Sequence, residues 1–283
     1  MRILVPLDGS EASEKHLAYL KDLAGIWKAE LLLLRVVDPL SLHSPAVDES
    51  ENWGEVAYQE AESYLEARRQ SLQGVPVQIL CMRGETCPVI CQVAQQCSLI
   101  AFAPHGHKAF ERWMYGSVSE EVIRDAPCPV LLVRGEMNVR FHHLLLPVEA
   151  SQASLEVCRR ALAFVPEGIR VTLLHCQGGG QALDESWCKT YEAEVDGRDG
   201  WELVCRPGKA PAAIVDWTGR CDCDLIAMAT RGRKGWEHFW KGSVTEQVAR
   251  QAPCPALIFP PASLECYRVL PEAGGNSNKG LSS

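Results

Sequence analysis

No apolar run in this sequence approaches the roughly 20 residues that a membrane-spanning helix requires, so no membrane association is expected. Positive charge is scarce as well. Lysine and arginine total 28 against 36 aspartates and glutamates, a net charge of −8. A general nucleic-acid or anionic-lipid surface calls for the opposite balance. The apolar part of Met1–Asp8 is too short for a secretory signal and reads instead as a first strand. The familiar catalytic signatures are missing too. There is no GxSxG, no GxxxxGK[ST] loop and no pair of carboxylates with a clear acid–base role. No catalytic residue is assigned.

Cysteine is plentiful, at 13 residues, an odd number scattered through helix-like and strand-like runs. Without a secretory signal this pattern favours reduced thiols and a cytoplasmic protein. Cys87 and Cys91, four apart on an expected helix, and the CxC of Cys221 and Cys223 read as buried free thiols. No partner CxxC or histidine pair completes a tetrahedral metal site, so no metal is expected. His142-His143 reads as structural or exposed rather than as a ligand pair.

The 283 residues suffice for two ordinary domains, and the 47% hydrophobic and 23% charged fractions are those of a globular protein. An internal repeat organises them. Ala103-Pro104-His105-Gly106, nine residues, then Gly116-Ser117-Val118-Ser119-Glu120 returns as Ala229-Thr230-Arg231-Gly232, nine residues, then Gly242-Ser243-Val244-Thr245-Glu246. Each copy follows a short apolar run and precedes a helical one that ends in Ala-Pro-Cys-Pro, at Ala126 and at Ala252. Ser117 with Glu120, and Ser243 with Glu246, have capping-box spacing. A helix that starts there offers free backbone N–H groups and the positive end of its dipole to an anion. Glycines just before it let the backbone come close to a ligand. A strand-to-helix turn that needs glycine for geometry alone is the competing explanation.

Along the first half, strands are expected at 3–7, 31–37, 75–82, 99–102 and 130–133. Helices are expected at 11–26, ending near Gly25, at 55–72, closed by Gly74, and at 88–96. The continuous apolar run Leu31–Val37, broken only by Arg35, fits a strand covered on both faces. Strands alternating with helices indicate right-handed βαβ crossovers and a parallel sheet. After a linker at 135–140 the opening strand returns. Ile3–Ser13 aligns without a gap on Leu144–Ser154, placing Asp8 over Glu149, an offset of 141 residues against 126 at the glycine loops. The second half therefore saves residues after its second strand, where Gly178-Gly179-Gly180 replaces the longer 38–49 connection. Its remaining strands are expected at 171–176, 202–205, 225–228 and 256–259. Residues 261–283 lose periodicity and read as a disordered tail.

These residues resemble the universal stress protein family, as a tandem of two such domains over about 1–136 and 141–260. Nucleotide-binding members carry G-x-x-G, nine residues, then G-[S/T], an aspartate after the first strand and a valine at the end of the second. The first half matches with Asp8, Val36, Gly106, Gly116 and Ser117. The second matches with Gly232, Gly242 and Ser243, and offers Glu149 and Cys176 at the other two places. The resemblance implies an α/β fold: two open five-stranded parallel sheets flanked by helices, Rossmann-like and similar to the adenine nucleotide alpha hydrolases. It implies ATP or AMP at the strand C-termini, with magnesium as an optional companion, in a stress-response or signalling module. Turnover would reach at most slow hydrolysis or self-phosphorylation. The family's first glycine is alanine here, at Ala103 and Ala229. In a left-handed conformation alanine costs about 1–2 kcal/mol, and Pro104 holds Ala103 extended and removes a donor. Arg233, with Arg231 and Lys234, makes the second loop the more cationic setting for a polyphosphate.

Two rival readings stand beside this one. In the first, the chain is an interaction scaffold whose glycine loops are structural only. In the second, it is a pyrophosphate-loop enzyme, which Leu7-Asp8-Gly9-Ser10 echoes only faintly. The apolar last strands, Val130–Val133 and Ala256–Phe259, are expected to pair as an internal pseudo-dimer, with a further homodimer left open. Trp113, Trp236 and Trp240 in the glycine loops read as packing onto the sheet edge, with a lid over a nucleotide as the alternative.

Overall fold

A computed structural model describes residues 1–38, 53–102, 117–134, 139, 141–178, 182–230 and 243–266. The first half runs β1 (Arg2–Pro6), α1 (Glu11–Glu14), α2 (Leu17–Trp27), β2 (Glu30–Val37), α3 (Trp53–Ser71), β3 (Val77–Arg83), α4 (Thr86–Ala94), β4 (Leu99–Phe102), α5 (Ser117–Asp125) and β5 (Val130–Leu132). The second half repeats it: β6 (His143–Val148), α6 (Gln152–Leu162), β7 (Arg170–Cys176), α7 (Glu185–Val195), β8 (Trp201–Arg206), α8 (Ala210–Arg220), β9 (Leu225–Ala229), α9 (Val244–Gln251) and β10 (Ala256–Phe259). A short helix, α10 (Pro261–Cys266), follows.

Among the described residues, ten strands form one sheet, in the order β3-β2-β1-β4-β5-β10-β9-β6-β7-β8. Within each half every pairing is parallel. The one antiparallel junction is β5 with β10, as expected for the apolar last strands: Leu132, Leu131 and Val130 lie opposite Ala256, Leu257 and Ile258. Leu131 and Leu257 are 126 residues apart, the same offset as the glycine loops. The central pair of that ladder thus joins equivalent residues, and the pseudo-twofold axis passes through it.

Alternation along the strands sorts the core into two faces. Ile3, Val5, Leu31, Leu33, Leu131, Leu144, Leu173, Ala227, Leu257 and Phe259 share one cluster with α2, α3, α6 and α7. This cluster runs across both halves without a break. On the other face, Leu4, Leu32, Ile100, Val130 and Ile258 pack with α4 and α5, and Leu145, Leu174, Ile226 and Met228 pack with α8 and α9. Equivalent helices therefore lie on the same face, so the pseudo-axis is perpendicular to the sheet. The carboxyl ends of the two sets of parallel strands point to opposite edges.

Three sequence expectations are corrected. The single helix at 11–26 is split, because His16 leaves helical values (φ −102°, ψ 8°) and becomes the N-cap of α2. Nor does that helix stop at Gly25. Lys28 supplies the left-handed cap (φ 49°), and the two further residues carry Trp27 into contact with Phe141 and Phe164, with ring centroids 5.7 Å apart in each case. Packing across the halves outweighs the roughly 1 kcal/mol cost of a left-handed lysine. Thirdly, the stretch beginning at 261 opens as helix. Arg160 of α6 donates to the carbonyls of Ser263 and Leu264, satisfying the last turn of α10 from a distant helix. Residues 267–283 lie outside the described residues.

The shorter second half has a local explanation. The connection after β7 is eight residues, 177–184, against fifteen, 38–52, after β2, and α7 has 11 residues against 19 in α3. Gly178 makes the short route passable: a Cβ there would stand 2.1 Å from the Gly208 carbonyl oxygen.

Candidate functional site

In an open parallel sheet the crevice for a ligand forms at the carboxyl ends, where the strand order reverses. Here the reversals fall between β1 and β4 and between β6 and β9. Asp8 follows β1, Val36 is next to last in β2, and Ser117 opens α5. At the second reversal Glu149 follows β6, Cys176 ends β7, Ala229 ends β9 and Ser243 caps α9. Ala103, Gly106, Gly116, Gly232, Arg233 and Gly242 lie outside the described residues, as do Trp113, Trp236 and Trp240.

The two strand-end loops differ in how they close. The exposed Asp8 accepts at Oδ1 from the Ser10 N–H (2.9 Å) and the Ser10 hydroxyl (2.6 Å). This Asx turn passes through Gly9 at φ +80°. In the second half Ala150 stands where Gly9 does, and it is not among the positive-φ residues. There the Ser151 N–H bonds the Glu149 carbonyl at 2.7 Å instead, and the Glu149 carboxylate takes only the Ser151 hydroxyl of that pair, at 3.2 Å. A Cβ on Gly9 would meet Arg35 at an ordinary 3.6 Å, so backbone strain alone opposes a side chain. Gly9→Ala is therefore expected to cost about 1 kcal/mol in urea unfolding. An unchanged midpoint would show that the loop relaxes freely.

Beneath each loop one side chain fastens the last strand carbonyl. Arg35 Nη1 donates to Leu7 O at 3.2 Å. At the equivalent place in the second half, the buried His175 donates from Nδ1 to Val148 O at 3.1 Å. Sequence reasoning saw Arg35 only as an interruption of an apolar run; that interruption was the signal. Tyr191 of α7 was missed altogether. Its hydroxyl reaches Glu149 O (2.7 Å) and Ser154 Oγ (2.8 Å), fixing the β6–α6 loop from above.

The α9 N-terminus is built as its spacing suggests. Ser243 Oγ accepts from the Glu246 N–H at 3.0 Å. Thr245 donates to Ala229 O at 2.7 Å, bringing the start of α9 to the end of β9. The Glu246 carboxylate pairs with Arg250 at 2.7 Å. Ala229 sits in strand register with Phe259 and has no positive φ, so alanine in place of the family's first glycine costs no backbone strain there. Val36 and Cys176, half-buried, pack on the same face of their halves. Burial pushes the Cys176 thiol up, keeping it neutral. The site thus combines carboxylates, an uncharged wall and a helix start, a set suited to holding a ligand.

The universal stress protein family model matches residues 1–134 and 180–260. The chain belongs to that family. A universal stress protein of Thermus aquaticus is 32% identical over 137 residues, 47% of this chain and 97% of the relative. One of Mycolicibacterium smegmatis is 22% identical over 287 residues, covering 92% of this chain and 97% of that protein. The crystal structure of a universal stress protein from Archaeoglobus fulgidus superposes with a TM-score of 0.73 at 22% identity, over 92% and 96% of the two chains. That structure supports the tandem fold.

Other sequence readings resolve within the fold of this universal stress protein. The 12 cysteines whose side chains are described are free thiols. His142 is exposed, whereas His143 is buried, with its ring nitrogens 2.9 Å from Cys221 O and 2.8 Å from Thr172 Oγ1. Among the described residues, no helix is long and apolar enough to cross a membrane.

Proposed function

We propose that this universal stress protein binds an adenine nucleotide, ATP or AMP, at its strand-order reversals and acts as a stress-response signalling module. One observation carries the reading. The start of α9, capped by Ser243, is tied by Thr245 to the end of β9, the strand next to β6, at the end of the A-x-x-G…G-S sequence. Such a helix start presents N–H donors to phosphate oxygens. Asp8 or Glu149 accepts from the ribose, and Val36 or Cys176 flanks the base. Gly106, Gly116, Gly232 and Gly242 let the loop backbone approach. Arg233 adds charge at the phosphates, where magnesium is an optional companion. Ala103 and Ala229 begin the two loops. The domains are taken as 1–136 and 141–260, and the free thiols support a cytoplasmic setting. Turnover forms no part of the proposal.

Calorimetric titration of ATP, AMP and cyclic AMP into nucleotide-stripped protein tests this reading, with Gly116→Val and Gly242→Val alongside. Binding is expected in the parent chain, with at least a tenfold loss (about 1.4 kcal/mol) in the variant of each binding half. Folded protein that binds none of the three would refute the reading and leave an interaction scaffold.

A further inference from the structure

His143 opens β6, at the opposite end of that strand from Glu149 and the proposed nucleotide site. Its ring is buried and both of its nitrogens are engaged. Nδ1 lies 2.9 Å from the Cys221 carbonyl oxygen, and Nε2 lies 2.8 Å from Thr172 Oγ1. The fully buried Thr172 hydroxyl donates in turn to Glu202 Oε1 at 2.9 Å. The chain of contacts therefore runs from Cys221, the C-cap of α8, through β6 and β7 to the exposed Glu202 on the edge strand β8.

Three contacts need three hydrogens. A carbonyl only accepts, a hydroxyl brings one hydrogen, a neutral imidazole brings one and an ionised carboxylate brings none. The set is one hydrogen short. Glu202 is exposed and its carboxylate keeps its water, so the third hydrogen sits on the imidazole, with Nδ1 donating to Cys221 O and Nε2 to Thr172 Oγ1. The resulting cation meets the carbonyl end of α8, where the helix dipole is negative. Asp224 Oδ2 accepts from the backbone N–H groups of His142 and His143 at 2.6 and 2.9 Å, and the Cys223 thiol lies 3.7 Å from His143 O. Arg170, Arg206 and Arg220 also stand around Cys221. Of these, Arg206 stacks on the Trp217 ring at 4.4 Å, Arg220 pairs with Asp216 at 2.9 Å, and Arg170 is exposed, where water and salt screen it.

We propose that His143, Thr172 and Glu202 form a proton-linked clamp on the edge strand β8. While the ring holds two protons, Thr172 donates to Glu202 and ties β8 to β7 and β6. When the ring gives one proton up to solvent, the Thr172 hydroxyl turns its single hydrogen to Nε2, and Glu202 is released. A folded state that binds the extra proton is most stable in acid and loses that stability as pH rises. The clamp is independent of nucleotide binding.

Glu202→Gln separates the clamp from ordinary packing. A carboxamide has hydrogens of its own, so it donates to Thr172, Thr172 donates to a neutral His143, and all three contacts are filled without the extra proton. Urea unfolding of the full chain compares parent and variant across the range in which histidine changes charge, about pH 5 to 8. The unfolding constant of the parent is expected to rise on the order of tenfold more than that of the variant over this range, the effect of one linked proton across one pH unit. A second measurement needs no variant. Proton–nitrogen NMR of the parent is expected to show two ring protons on His143 at the acid end and a single one, on Nδ1, at the alkaline end. Parallel stability profiles for parent and variant, or a His143 ring with the same number of protons at both ends, would overturn the proposal.

Discussion

Leu257→Asp is expected to destabilise the whole protein by about 4 kcal/mol or more, in one transition. Leu257 is fully buried and sits at the centre of the antiparallel ladder, opposite Leu131. Its side chain joins the apolar cluster that runs through both halves. A carboxylate there has lost its water and gains no partner, among the largest penalties a single substitution can impose. Leu257→Ala removes the same contacts without the charge and is expected to cost 2–5 kcal/mol. Because Leu131 is the symmetry-equivalent residue, Leu131→Asp is expected to match Leu257→Asp within about 1 kcal/mol. Denaturant unfolding followed by tryptophan fluorescence and by circular dichroism measures all three. Coincident curves with a lowered midpoint are expected. Two separated transitions would show that the halves are stable bodies that merely touch, contrary to their shared core.

The second large effect is expected at Tyr191, and it separates packing from hydrogen bonding. The ring is fully buried, and the hydroxyl holds Glu149 O and Ser154 Oγ. Tyr191→Ala empties a ring-sized volume and is expected to cost 3–5 kcal/mol. Tyr191→Phe keeps the ring but leaves the Glu149 carbonyl without its donor and the buried Ser154 hydroxyl without its partner, for about 1–3 kcal/mol. Burial also pushes the Tyr191 phenol up to about 12. A phenol raised in the folded state lends stability that is complete below its ordinary value of about 10 and is lost as pH rises through 12. Ultraviolet titration is expected to show one fewer late-ionising tyrosine in the phenylalanine variant. The same number in both proteins would place the Tyr191 hydroxyl in water. Since Tyr191 fastens the loop that carries Glu149, any nucleotide affinity of the second half is expected to fall with it.

Much of the fold was legible because its signals are local. The repeated strands announce themselves through β-branched and leucine-rich runs, and Ser10 and Ser243 cap their helices at the places their spacing indicates. Of the proposed site, the carboxylate after each first strand and the Ser243 cap were legible in the same way, while the glycine loops lie outside the described residues. Less visible was whatever depends on a distant partner. Helix α2 runs past Gly25 because aromatic rings from the other half receive Trp27. Helix α10 forms where periodicity fails because Arg160 satisfies its last carbonyls. Arg35, His175 and Tyr191 each hold a strand-end carbonyl from across the fold, and no spacing rule reports a contact between residues 27 to 42 apart.

By itself, then, the sequence determined a duplicated α/β unit, its strand and helix order, the caps and the loop positions around which a ligand site is proposed. Those follow from side-chain periodicity and capping chemistry, which act over a few residues. The tertiary structure decided that the halves share one ten-stranded sheet and one continuous core face, with their carboxyl edges turned to opposite sides. The antiparallel register that sets this geometry is a contact between residues 126 apart. Only the folded chain brings them together, where burying both apolar strands removes the two edges that either half alone would expose.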